Sequence, residues 1–197
     1  MSIVRGTHLL RVYRQVQGKR HDLNAVRSLV DVNGEDVWGI VKPVQSEIID
    51  IGPGSQVSRR VELWMDSELD LDIGYLVELK RTRVLEGQRE VIEEALTSGA
   101  AAGSTTLHVA STVGFRKGDA VLLWDGSTSW EESRVQDFDA SSLTLYADCA
   151  LTGSYQTNDY VRVARMFRVV DQRIPEDVGP YRVAVLQHVA HQLAVGS

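Results

Sequence analysis

Residues 59–65 read Arg-Arg-Val-Glu-Leu-Trp-Met, with Val61, Leu63 and Met65 on one parity and Arg60, Glu62 and Trp64 on the other. A strand turns successive side chains to opposite faces, so this period of two predicts a half-buried strand. Residues 66–72 (DSELDLD) follow as an acidic turn, with Leu69 and Leu71 as apolar plugs. Residues 74–84 (GYLVELKRTRV) read as the next strand. Upstream, residues 26–38 (VRSLVDVNGEDVW) set Asn33-Gly34 between two apolar runs. Asn-Gly tolerates the positive φ of a tight turn, so a hairpin is expected there. Residues 39–51 are extended in pattern until Gly52-Pro53-Gly54-Ser55 breaks them. Residues 3–16 read as an extended arm or first strand.

The character changes near Gly87. Residues 89–96 (REVIEEAL) fit either helix or strand. A small-residue stretch, 98–104, comes next. Short strands are then expected at 105–109, 120–124, 131–138, 142–146 and 159–164, separated by turns. Closely spaced short strands of this kind predict a small barrel or sandwich. From 167 the pattern returns to that of the first part: FRVV at 167–170, a turn at 174–180, and a long alternating run from Tyr181. The reading is therefore mainly β: a small β-barrel interrupted by an inserted second small β-barrel or sandwich module. Residues 1–87 with 166–197 form the discontinuous barrel, and residues 88–165 the insert.

The chain has 197 residues, 43 % hydrophobic, close to a soluble globular average. One cysteine, Cys149, excludes an internal disulfide framework and a multi-cysteine zinc site. No apolar run approaches the roughly 20 residues of a membrane span, and the first residues lack the apolar core of a signal peptide. No membrane partner is expected. The net charge of −6 is unevenly spread. Residues 1–30 hold Arg5, Arg11, Arg14, Lys19, Arg20 and Arg27 against Asp22, a net +5 that leaves −11 for the rest. A basic end on an acidic body points to two unlike partners. Arg5, Arg11, Arg14, Lys19 and Arg20 are accordingly interface candidates. Arginine's planar fork suits bidentate pairing at such contacts, and the only lysines are Lys19, Lys42, Lys80 and Lys117.

Catalytic chemistry has little support in the pattern. His188 and His191 stand three apart, a metal spacing on a helix only, with no carboxylate completing a ligand set. Glu93-Glu94 and Glu131-Glu132 are adjacent, and adjacent strand residues face opposite ways. The carboxylates of 66–72 lack the glycine and glutamate spacing of a calcium loop. Phosphate-binding glycine motifs and the nucleophile elbow are missing. No catalytic residue, cofactor or metal is therefore assigned. Among the tryptophans, Trp64 lies opposite the apolar parity of its strand. Trp64 and Trp130 are candidate interface anchors, tryptophan being enriched at binding hot spots. A carbohydrate-binding module that stacks sugars on these rings is an alternative reading.

Two stretches resemble known phage modules. Residues 101–111 (AAGSTTLHVAS) and 114–123 (GFRKGDAVLL), continuing to Glu132, Leu143-Thr144-Leu145 and Asp159-Tyr160-Val161, resemble a small β module inserted or appended in many tailed-phage structural proteins. In it Phe115 serves as a core plug, while Leu143 and Leu145 close the sheet. Residues 37–43 (VWGIVKP), 58–65, 71–77 (LDIGYLV), 166–170 (MFRVV) and 179–183 (GPYRV) together resemble the small β-barrel of head–tail connector proteins of the stopper, or head-closure, class. Gly74 is followed by Tyr75 where that class carries Asp, and residues 88–165 interrupt the pattern. The resemblance implies a homo-oligomeric ring, usually of six subunits, in the virion neck. Such a ring assembles in the host cytoplasm, joins the portal or adaptor to the tail, and helps retain packaged DNA, with the arginine-rich basic arm contacting an acidic neighbouring subunit or, non-specifically, the DNA in the channel. It implies no enzyme. A tail or baseplate role for the same modules is a further alternative.

Overall fold

The computed structural model describes residues 8–17, 27–44, 48–49, 56–57, 60–85, 88–125, 130–173 and 181–189. In chain order the strands are β1 (His8–Gln17), β2 (Arg27–Asp31), β3 (Val37–Pro43), β4 (Ile48–Ile49), β5 (Gln56–Val57), β6 (Arg60–Asp66), β7 (Leu76–Lys80), β8 (Thr82–Leu85) and β9 (Gln88–Val91). They continue as β10 (Glu93–Ala95), β11 (Thr106–His108), β12 (Ala120–Trp124), β13 (Trp130–Phe138), β14 (Ser142–Leu145), β15 (Tyr160–Arg162), β16 (Ala164–Arg173) and β17 (Tyr181–His188). The protein is mainly β, and its fold is a small barrel interrupted by an inserted second β module. The stretch 89–96, open between helix and strand on its pattern, is not helix: it holds most of β9 and all of β10, with Ile92 between them and Leu96 in an isolated bridge.

The barrel runs β1-β3-β6-β17-β16-β7, and a further β1–β7 pairing closes the circle. Its interior follows the alternation of the sequence. Leu63 and Met65 of β6, Ala184 and Leu186 of β17, Phe167 and Val169 of β16, Val77 of β7, and Leu10 and Val12 of β1 form one buried cluster. Leu71 is buried against it, and Leu69 packs beside it, so the acidic turn does carry its apolar plugs inward. Gly39 of β3 runs close against the packed interior. A Cβ there would lie 2.6 Å from Leu63 Cδ1 and 2.8 Å from Leu10 Cδ2.

One local expectation is corrected. Asn33-Gly34 does form a turn, with Gly34 at φ +74°. Yet β2 and β3 do not pair as a hairpin; both pair with β1. Leu10 stands opposite Val37, while Val32 N–H donates to the Val12 carbonyl at 3.1 Å. β1 is ten residues long, enough to hold both segments in succession. The turn joins two strands that each pair with β1 rather than with each other, and a local two-residue signal does not distinguish that from a reversal.

The second unit is a curled half-barrel of six strands in the order β10-β15-β12-β13-β14-β11. Its edges approach each other where Leu96 bridges Val109 and Thr97 N–H donates to the His108 carbonyl at 2.9 Å. Phe115, Leu143 and Leu145 are buried in its core with Leu107, Leu123 and Val161. Backbone proximity assigns residues 8–14, Val30–Leu79 and Met166–Val189 to the barrel, and residues 15–17, 27–29 and Lys80–Arg165 to the second unit. The crossing into the 80–165 segment thus precedes Gly87, where the composition changes. The β8–β9 hairpin stays with the second unit because its base is hydrogen-bonded there. Arg81 N–H donates to the Val163 carbonyl at 2.8 Å, and Val163 N–H to the Ile92 carbonyl at 2.8 Å. The Arg81 guanidinium reaches Asp119 and the Gly114 carbonyl, and Arg83 reaches the Val113 carbonyl.

Candidate functional site

The strand registers gather one end of the barrel from segments far apart in sequence. Tyr181, which opens β17, stands opposite Asp66, which closes β6. Arg173, which closes β16, stands opposite Val183. Ile40 opposite Trp64 brings the start of β3 to the same end. The turn 32–36 and the loop 67–75 therefore lie together, and Asn33 ties them. Its Oδ1 accepts from Asp70 N–H at 2.9 Å, and its Nδ2 donates to the Asp70 carbonyl at 3.3 Å. This end carries Asp31, Glu35, Asp36, Asp66, Glu68, Asp70, Asp72 and Asp171. Several of these carboxylates hold backbone: Asp31 accepts from Asn33 and Gly34 N–H, Asp66 from Glu68 N–H, and Asp72 from Ile73 N–H. Gln172 Nε2 also reaches Asp72 at 3.1 Å, and Arg182 Nη1 donates to the Leu71 carbonyl at 2.6 Å. The result is a shaped acidic end with an exposed Ile73 among its acids.

The basic candidates divide against this background. Arg11 Nε lies 2.7 Å from Asp36 Oδ1 and 3.3 Å from Asp31 Oδ2. Partial burial pulls the Arg11 pKa down, but Asp36, Tyr13 and Asp31 outweigh it, and the net shift is upward. Arg11 is thus committed to its own chain as a strut of the acidic end. Arg14, three residues on, is exposed. Arg5, Lys19 and Arg20 lie outside the described residues.

The two tryptophan candidates separate as well. Trp64 is half-buried on the outer wall of the barrel, between Ile40 of β3 and Val183 of β17. Lys42 Nζ sits 4.3 Å from its ring centroid, and its indole N–H donates to Glu62 at 3.4 Å. Arg173 reaches the same carboxylate at 3.1 Å. Trp64 is therefore an aromatic platform framed by charges of both signs. Trp130 is only 4 % exposed and pairs with Trp124. Its expected role as an anchor is corrected: a ring buried within its own chain offers no face to a partner or a sugar.

The titratable groups singled out in the sequence have structural partners. Glu131 is buried and accepts from Thr152 N–H at 2.8 Å and from the Thr152 hydroxyl at 2.6 Å, clamping the loop after Leu151. Burial, with Glu131 next in weight, pushes the neighbouring Tyr155 pKa up. Burial and then Asp148 raise the Cys149 thiol, the opposite of an activated nucleophile. His188 makes an edge contact with Phe167, centroids 5.3 Å apart. Among the described residues no group of three His, Cys, Asp or Glu side chains is placed to hold a metal ion, and no helix is long and apolar enough to cross a membrane.

Sequence reasoning recognised the acids of 66–72 but missed that Asp31, Glu35 and Asp36 join them. The available signal was topological. Acidic turns that leave strands on the same side of a barrel share an end, which requires the strand order to be known. A comparison with protein-family profiles finds no family matching the chain, and a comparison with curated proteins finds no match.

Proposed function

We propose that this chain is a structural protein of the tailed-phage neck, a head–tail connector of the stopper class. It forms a homo-oligomeric ring that joins the portal or adaptor to the tail and helps retain packaged DNA. One observation carries the reading. The segments whose residues resemble the connector barrel, split by residues 88–165, correspond to β3, β6, β7, β16 and β17, neighbours in one closed barrel. The segments resembling the inserted phage module correspond to the second sheet. That segments split in the sequence adjoin in one barrel supports the reading. The acidic end supplies a surface for a basic neighbour, and exposed Arg14 a cation for an acidic one. Ring formation is the natural closure of such heterologous contacts.

The test is assembly. Native mass spectrometry and negative-stain imaging of the purified chain, alone and mixed with portal and adaptor rings, are expected to show a closed ring in at least the mixture. A chain that stays monomeric in both overturns the reading.

A further inference from the structure

Asn33 and Gly34 do more than turn the chain. Glycine presents a backbone nitrogen unshielded by any side chain, and asparagine is a thermally labile residue. In an Asn-Gly pair the glycine nitrogen is able to attack the asparagine carboxamide carbon. Here four hydrogen bonds restrain the groups that must move. The Asn33 carboxamide is held at both ends by the Asp70 backbone, at 2.9 and 3.3 Å. Gly34 N–H and Asn33 N–H both donate to Asp31 Oδ1, at 3.0 and 3.1 Å. Cyclisation requires the carboxamide to leave Asp70 and the Gly34 nitrogen to surrender the proton that Asp31 now accepts as a hydrogen bond.

We infer that Asn33 is a latent modification site and a one-way latch between the turn 32–36 and the loop 67–75. While the bridge to Asp70 is closed, the carboxamide is protected. When the bridge opens, the Gly34 nitrogen bonds to Asn33 Cγ and the Cγ–Nδ2 bond breaks. Ammonia leaves with the proton from the Gly34 nitrogen. Water then opens the cyclic imide at either carbonyl, giving aspartate or isoaspartate, with no change of oxidation state. The product cannot restore the bridge. A carboxylate can accept from Asp70 N–H but has no donor for the Asp70 carbonyl, so the two segments part more readily and the Asp70 amide is less protected. It also adds a negative charge beside Asp31, Asp36 and Asp70. Isoaspartate further lengthens the backbone at a turn built around Gly34 at φ +74°. This chemistry needs no partner and holds whichever assembly the chain enters.

The experiment incubates the full chain at mildly alkaline pH, folded and in denaturing urea. The peptide containing Asn33 is followed by mass spectrometry that separates aspartate from isoaspartate. The folded chain is expected to convert at least about tenfold more slowly than the unfolded chain, and Asp31→Ala, checked for folding by circular dichroism, to accelerate folded-state conversion about fivefold through loss of two hydrogen bonds. Asn33→Asp, which carries the product's side chain, is expected to speed hydrogen exchange at the Asp70 amide. Equal rates for folded and unfolded wild type overturn the inference. So does unchanged Asp70 exchange in Asn33→Asp, or a folded Asp31→Ala that converts no faster. If Asp31→Ala does not fold, the first and last measurements decide.

Discussion

Gly39 shows how a single position is set by strands remote from it. Its own segment, Val37 to Pro43, alternates unremarkably. The constraint comes from Leu10 of β1 and Leu63 of β6, both fully buried, and from the Trp64 carbonyl 3.2 Å from any Cβ placed there. Gly39→Ala is expected to lower unfolding stability by about 1–3 kcal/mol, as overpacking does, read by chemical denaturation. Inward positions such as Leu63 and Met65 were legible because alternation alone assigns them, and Leu143 and Leu145 through the resemblance to the phage β module. Gly39 was not, since its requirement exists only once the barrel closes. Asp139 gives a pH signature at the same scale. Its exposed carboxylate accepts from Ser141 and Ser142 N–H, each at 2.8 Å, and from the Ser142 hydroxyl at 2.8 Å. The Ser141 backbone bond and then the Ser142 side chain hold its pKa below the ordinary carboxylate value. A depressed folded pKa stabilises the fold above the unfolded pKa, and the contribution is lost as pH falls through the folded one. The denaturation midpoint is therefore expected to fall through and below the carboxylate range, with a shallower slope in Asp139→Asn. Equal slopes would show that these bonds do not bias the titration.

Elements were legible where a strand carries its own alternation and illegible where a distant partner decides. β6 was readable because one apolar face repeats over its length, whereas β17 carries Val183 and Val185 on one parity and Ala184 and Leu186 on the other, so that only the closed barrel shows Ala184 and Leu186 joining its core. β10 was not readable: three residues say little, and it becomes a strand through Glu93 opposite Arg162 and Ala95 opposite Tyr160, far along the chain. The β8–β9 hairpin makes a sharper case. Its sequence continues the barrel style, yet Arg81 and Arg83 bind the loop 113–119 through Val113, Gly114 and Asp119. Excising residues 80–165 and joining Leu79 to Met166 by a short flexible link is thus expected to leave a folded barrel, since closure cost rises slowly with loop length. Excising 90–164 leaves half a hairpin and two arginines without their acceptors. The shorter deletion is expected to be the less stable in denaturant despite retaining more chain. The reverse order would show that β8 belongs to the barrel.

For the whole molecule, the split of one barrel around a second module was legible because the connector-like pattern stops and resumes. The closing β1–β7 pairing and the shared acidic end were not, since both are properties of strand order. The basic segment illustrates the difference: six basic residues in the first 30 looked like one free arm, but Arg11 is held by Asp31 and Asp36. Arg14→Glu is therefore the variant expected to weaken assembly while leaving the protomer's stability near wild type. Arg11→Glu is expected to destabilise the protomer itself by placing a third carboxylate beside two. Raising salt should mimic Arg14→Glu, with ring population read by native mass spectrometry. Salt-insensitive rings that tolerate Arg14→Glu would remove the basic segment from the interface. The crossing between β7 and β16 has a mechanical meaning. The chain leaves the barrel and re-enters it on adjacent strands, with Arg81 N–H bonded to the Val163 carbonyl at 2.8 Å across the point of departure. A pull between β1 and β17 is carried by the barrel's own ladder, and residues 80–165 form a loop that the β7–β16 pairing closes. It comes under tension only after β7 and β16 separate, so the extra length of the insert stays in reserve until the barrel wall itself has torn.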